Sequence, residues 1–152
     1  MVDVAVRVSD DVLKKYEGVS NATVLGALAK RGYLKVFMNG VHSLAPGRRL
    51  VGRAVTLRYL PSRPDLQEHV TRGGHGEGFN ETPRWDALEA LTPGDCLVAD
   101  CMGESMTSTG GDVVFSRILS QKAAGLVTDG GVRDGHKVAD YGYPVYGGGS
   151  TP

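Results

Sequence analysis

Apolar residues recur at helical spacing in two short segments near the start of the chain, then give way to alternation and compact runs. Ser9, with Asp10 and Asp11 in the following turn, opens a predicted helix that carries Val12, Leu13 and Tyr16 and stops at Gly18. A second predicted helix starts at Ser20 or Asn21 and runs through "ATVLGALAKRG", with Val24, Leu25 and Leu28 on one face and Gly32 past its end. The pair reads as a docking arm. The segment "LVGRAVTLRYL", entered from the turn residues "APGRR", alternates Val51, Arg53, Val55, Leu57 and Tyr59 against Leu50, Gly52, Ala54, Thr56 and Arg58 and predicts a strand.

Between Pro61 and Pro83 the apolar period disappears, and a flexible loop or lid over 61–83 is expected. It holds His69, His75 and "GGHGEG", which neither fits G-x-G-x-x-G nor leads from a strand into a patterned helix. A short helix around Trp85 to Ala90 follows, then a turn at "TPGD" and a buried strand from Cys96 to Ala99. From Gly110 the pattern alternates: helix in "GGDVVFSRILSQKAAG", strand in "LVTDGG", helix in "VRDGHKVADYG", and the apolar run "YPVYG". Such alternation predicts an α/β unit with at least partly parallel strands, in one domain spanning 1–152.

Composition narrows the functional classes. The 17 basic residues balance 17 acidic ones, so no net field draws the chain to nucleic acid or to an acidic membrane. No run is long enough to span a bilayer, and "MVDVAVRVSDD" turns acidic where a signal peptide stays apolar, which reads as a cytoplasmic protein. Cys96 and Cys101 fall on opposite faces of a predicted strand, an arrangement that suits packing better than a disulfide or a zinc site. Glycine, at 22 residues, is in excess and predicts tight turns where small anions reach peptide N–H groups.

Two glycine-flanked segments carry the candidate chemistry. In "STGGDVVFSRIL", Asp112 is the expected N-cap, and Val114, Ile118 and Leu119 form the expected buried stripe. The amides from Gly111 to Val114 lack acceptors within that helix, and the helix dipole favours a carboxylate or phosphate there. In "VTDGGVRDG", the strand end delivers Arg133 and Asp134, the usual place for ligands in α/β sheets. Twenty residues separate Asp112 from Arg133, about one helix down and one strand back, so both belong at the same end of the sheet. Singly, each reads better as a cap or a solvated turn residue. In combination they read as a site, with Arg133 facing an anionic or carbonyl oxygen and Asp134 turned to hold a cation.

This pattern, G-D, twenty residues, R-D, together with "AAGLVTDGGVRD", "GRAVTLRYL", "PGDCLVAD" and "YPVY", resembles the RraA-like family over nearly the whole chain. That family includes class II 4-hydroxy-4-methyl-2-oxoglutarate aldolases, relatives that decarboxylate oxaloacetate, and regulators of ribonuclease E. The resemblance implies a swivelling β/β/α, phosphohistidine-domain-like sheet flanked by helices, assembled as a homotrimer or homohexamer with sites between subunits. It implies a divalent-metal-dependent lyase that cleaves a 4-hydroxy-2-oxo acid to pyruvate and a second carbonyl product through a metal-stabilised enolate. On that reading the backbone of Gly111, Asp112, Val113 and Val114 holds the substrate carboxylate and Arg133 contacts its carbonyl oxygen. Asp134 binds Mg²⁺ or Mn²⁺, and Asp112 joins the proton relay through a water on the metal.

Relatives usually continue past "GGGSTP" with further strands, including a second P-G-D turn and an acidic group directed at a neighbour's metal, so the chain reads as C-terminally truncated. The rival reading is a non-catalytic protein-binding regulator of ribonuclease E-type activity. Asp134 beside Arg133 favours chemistry, since a regulator has no need of a metal carboxylate there. A menaquinone methyltransferase is disfavoured, because no strand leads into a G-x-G-type nucleotide loop.

Overall fold

A computed structural model describes residues 7–61, 64–65 and 82–152. The predicted 61–83 loop, with both of its histidines, therefore lies almost wholly outside the described residues. The elements in chain order are α1 (Asp10–Tyr16), α2 (Asn21–Ala29), β1 (His42–Ser43), β2 (Arg53–Arg58), α3 (Pro83–Glu89), β3 (Asp95–Asp100) and α4 (Asp112–Ser120). They continue with β4 (Gly125–Thr128), β5 (Gly131–Val132), a 3₁₀ helix (Gly135–Tyr141), β6 (Val145–Gly147) and β7 (Gly149–Ser150). The five-stranded sheet has the order β1-β6-β4-β3-β2, and β5 pairs with β7 in a second, two-stranded sheet. Strands β2, β3, β4 and β6 run parallel and β1 is antiparallel to β6, which gives the expected α/β arrangement of a mixed sheet flanked by helices.

Sequence accounts for most of these elements. Strand β2 alternates half-buried and exposed positions, while β4 is buried throughout, as a central parallel strand requires. The turn before β3 is built by "TPGD": Gly94 takes φ +83°, and the Asp95 amide closes onto the Thr92 carbonyl at 3.0 Å. The Asp95 carboxylate then accepts from the Thr92 amide and hydroxyl, both at 2.9 Å, and from Arg53 Nε at 2.8 Å. Leu88, Leu97, Phe115, Ile118, Leu126, Val132, Val138 and Val145 are fully enclosed and fill the core. Among the described residues no helix is long and apolar enough to cross a membrane.

Two expectations need correction. The stripe on α4 consists of Val114, Phe115 and Ile118, whereas Leu119 is 50% exposed. At about 100° per residue, a face centred between Val114 and Ile118 takes in Phe115 and leaves Leu119 to one side. Segment "VRDGHKVADYG" forms a 3₁₀ helix, because Asp134 enters it in the left-handed conformation at φ +56° and the Lys137 amide closes onto the Asp134 carbonyl at 2.8 Å. The apolar faces of α1 and α2 bury no residue within this chain, with Leu25 40% exposed. Arg49 tethers this arm by donating to the carbonyls of Tyr16 and Val19.

Candidate functional site

Backbone pairing brings the two glycine-flanked segments together. The Gly131 amide donates to Thr107 O at 2.9 Å, Thr109 donates to Gly131 O at 2.8 Å, and Arg133 donates to Gly110 O at 2.9 Å. This register runs residues 107–110 alongside 131–133, so that Gly111 and Asp112 emerge beside Arg133 and Asp134. Pairing of β5 with β7 sets Gly131 opposite Gly149 and Val132 opposite Ser150. That contact carries Ser150 and Thr151 to the same place.

The result is a cavity of about 500 Å³ lined by Gly111, Asp112, Val113, Val114, Arg133 and Asp134, with Trp85 and Thr151 closing its walls. All six positions named from sequence thus share one pocket. Gly111 is the close-approach point. A side chain there would begin 2.5 Å from Asp134 Oδ2, 3.2 Å from Arg133 Cβ and 3.6 Å from Arg133 Nε.

Asp112 is not the N-cap. Gly111 occupies that position in extended conformation, and Asp112 is the first helical residue. The cap is supplied from a distance instead, because the Asp112 amide donates to Asp134 Oδ2 at 3.2 Å. One of the four expected free amides is therefore engaged. Those of Gly111, Val113 and Val114 have no acceptor among the described residues.

Two residues that sequence reasoning missed hold the Asp112 side chain. Lys137 Nζ lies 2.7 Å from Oδ2, and the Tyr141 hydroxyl donates to Oδ1 at 3.0 Å. Lys137, then Tyr141, keeps the Asp112 carboxyl below the usual carboxylate range, against an upward push from burial. Asp112 in turn raises the Lys137 ammonium above its ordinary value. Lys137 reaches Asp112 from the 3₁₀ turn that follows left-handed Asp134, and the sequence has no signal separating that turn from an α-helix.

The remaining charges stay open to the cavity. Arg133 is exposed and forms no ion pair among the described residues. Asp134 is half-buried and uses only Oδ2 in hydrogen bonding to described residues. No group of three or more metal-ligating side chains occurs among the described residues. The donors suit a hard, oxygen-ligated cation that keeps most of its waters: Asp134 has a carboxylate oxygen to give, whereas both Asp112 oxygens are engaged. Thr151 adds a buried hydroxyl with no hydrogen-bond partner among the described residues, in the wall of the same pocket. Cys96 and Cys101 are buried and unbridged away from it, and burial pushes the Cys96 thiol up to about 11.

Residues 8–152 match the RraA-like family model, described as Aldolase/RraA. The chain belongs to the RraA-like family. Its fold is similar to that of RraAS2 from Streptomyces coelicolor, described as an unusual member of the RNase ES inhibitor RraA protein family. The TM-score is 0.81 at 29% identity, over 96% of this chain and 67% of that one. An uncharacterized protein from Pseudomonas syringae pv. tomato str. DC3000 gives TM-score 0.74 at 24% identity, over 94% of this chain and 58% of that one. The RNA-processing inhibitor RraA from Thermus thermophilis gives 0.54 at 22%, over 76% and 60%. The last two likenesses bear on the fold alone. This RraA-like chain spans between 58% and 67% of the length of these relatives.

Proposed function

We propose that this RraA-like protein is a divalent-metal-dependent lyase of the cytoplasm that cleaves a 4-hydroxy-2-oxo acid to pyruvate and a second carbonyl product, with oxaloacetate decarboxylation as a related reaction. The observation that carries this reading is the convergence of Gly111, Val113 and Val114 amides, Arg133 and Asp134 on one cavity. Anion-binding amides at a helix start suit the substrate carboxylate, and the planar Arg133 fork suits the adjacent carbonyl oxygen. When the carbon-carbon bond breaks, its electron pair moves onto that oxygen as an enolate. Arg133 faces the charge where it accumulates. Mg²⁺ or Mn²⁺ held by Asp134 would supply Lewis-acid stabilisation worth several kcal/mol. Asp112, clamped at the pocket rim by Lys137 and Tyr141, orients the water of the proton relay that takes the substrate hydroxyl proton and returns one to the enolate carbon. A homotrimer or homohexamer with sites between subunits belongs to the same proposal.

Pyruvate release from a panel of 2-oxo acids, with Mg²⁺ or Mn²⁺ and with EDTA, tests it. Turnover should vanish with EDTA and in Asp134→Ala. Unchanged Mg²⁺-dependent release by that variant would overturn the assignment. The likeness to RraAS2 favours a second reading, a non-catalytic protein-binding regulator of ribonuclease E-type activity. It predicts no turnover, with inhibition of the nuclease that is equal for the wild type and Asp134→Ala.

A further inference from the structure

We infer that the groove between α2 and the β1-β6 edge of the sheet docks an acidic, amphipathic helix of a partner protein; this stands apart from the lyase reading. The groove encloses about 1000 Å³ and is lined by Val24, Leu25 and Leu28 of α2 and by Phe37, Met38 and Leu50. Ser43 of β1 and Tyr146 of β6 complete its wall. Helix α2 buries no residue, and Phe37 and Met38 are 64% and 56% exposed. Tyr33 and Leu34, just before them in the chain, are also exposed. Large apolar side chains gathered in this way mark an interaction site and not ordinary surface.

Charge selects the partner. From Gly18 to Pro64 the chain holds eight basic residues and no acidic one, so all 17 acidic residues lie elsewhere. Overall neutrality thus conceals a cationic arm. Arg48 and Arg49 line the groove, and exposed Lys30, Arg31 and Lys35 adjoin its lining residues along the chain. None of these five forms an ion pair among the described residues. Arg48 donates to the Gly142 carbonyl and Arg49 to those of Tyr16 and Val19, contacts that leave both charges uncompensated. Carboxylates flanking an apolar stripe answer both features of the groove at once. The stripe belongs to a helix, because edge strand β1 has two residues, His42 and Ser43, too few to template an added strand. Met38 gives the groove an adaptable side chain, and its concavity suits a protein segment better than a flat lipid surface.

Fluorescence anisotropy of the full chain with a labelled peptide tests this. The probe is a helix of about 14 residues, roughly 20 Å long, with leucine at alternating three- and four-residue steps and glutamate elsewhere. It should bind, and a peptide of the same composition whose order scatters the leucines should bind about tenfold more weakly. Phe37→Ser and Arg48→Glu should each weaken binding by about tenfold, and added salt should weaken it further. Both side chains are exposed, so the far-UV circular dichroism of the two variants should match the wild type. Leu119→Ser alters an exposed apolar residue of α4 outside the groove and should leave binding unchanged. No binding, equal binding of the two peptides, or full affinity in Phe37→Ser overturns the inference. Two further outcomes overturn it by giving the face a different occupant: co-sedimentation with phosphatidylserine vesicles that Phe37→Ser abolishes, or self-association in sedimentation velocity that the same variant abolishes.

Discussion

Substituting Gly111 by alanine probes the junction of the two segments without touching a charged group. Gly111 is extended, at φ −139° and ψ −151°, so alanine meets no backbone penalty. Its Cβ would, however, lie 2.5 Å from Asp134 Oδ2, where ordinary heavy-atom contacts begin near ~3.5 Å. The carboxylate must therefore retreat by about 1 Å. Retreat in the direct line is enough to break its 3.2 Å bond from the Asp112 amide, the remote cap of α4. Arg133 Cβ, 3.2 Å from the new carbon, hems in the movement because it is fixed to the backbone. A lost bond to a charged acceptor costs about 1.5–3 kcal/mol, and partial relaxation should leave roughly 1–2 kcal/mol as the net loss. Misplacement of a catalytic group by that distance costs about a hundredfold in rate. Gly111→Ala should therefore fold with a modestly lower urea midpoint and lose about two orders of magnitude in kcat/KM for pyruvate release. Unaltered stability would mean that Gly111 and Asp134 do not touch. Normal turnover with lowered stability would leave the contact standing but remove Asp134 from the reaction.

Arg133→Lys keeps the charge but loses the planar fork, and should lower kcat/KM by about tenfold to a hundredfold. Equal activity would count against direct contact with the carbonyl oxygen. Asp95→Asn should cost about 2 kcal/mol in urea unfolding at neutral pH, since the largely buried Arg53 loses its buried carboxylate and keeps only the exposed one of Asp10 among the described residues. Burial raises the Asp95 carboxyl, but Arg53, Thr92 and Arg7 outweigh it and bring it down from 3.8 to about 2. A depressed folded-state value means that this stabilisation is complete above about pH 4 and is lost as pH falls toward about 2. The variant's stability should fall less steeply over that interval, and identical acid profiles would refute the assignment.

Strands that bury side chains were legible in the sequence, and strands that exist only as backbone pairing were not. Val55 and Leu57 alternate with Thr56 and Arg58, and "CLVA" and "GLVT" are compact apolar runs, so β2, β3 and β4 follow from hydrophobic pattern alone. Strands β5 and β7 are Gly-Val and Gly-Ser, two residues each, and form because Gly131 meets Gly149 from 18 positions away. No local period encodes that contact. The six candidate site residues were legible because Asp112 and Arg133 each flank a strand or helix end at a spacing one helix and one strand explain. Lys137 and Tyr141 were not, because they reach Asp112 through a left-handed residue and a 3₁₀ turn that local propensity does not distinguish from α-helix.

The glycine excess also has a different cause around the site than turn-making. Gly111, Gly131 and Gly135 all have ordinary backbone angles, and what each lacks is room. A side chain on Gly131 would meet Thr151 Cγ2 at 2.1 Å, and one on Gly135 would meet Ser150 Oγ at 2.6 Å. These contacts, with the one at Gly111, are where β5, β7 and the start of α4 close on one another. Glycine here lets three backbone segments approach to within the thickness of a methyl group, which is why two carboxylates, a guanidinium and three open amides fit around about 500 Å³. The same tightness leaves charged side chains little space to avoid each other. A site assembled this way therefore depends on glycine at these crossings as much as on the charged groups that face the cavity.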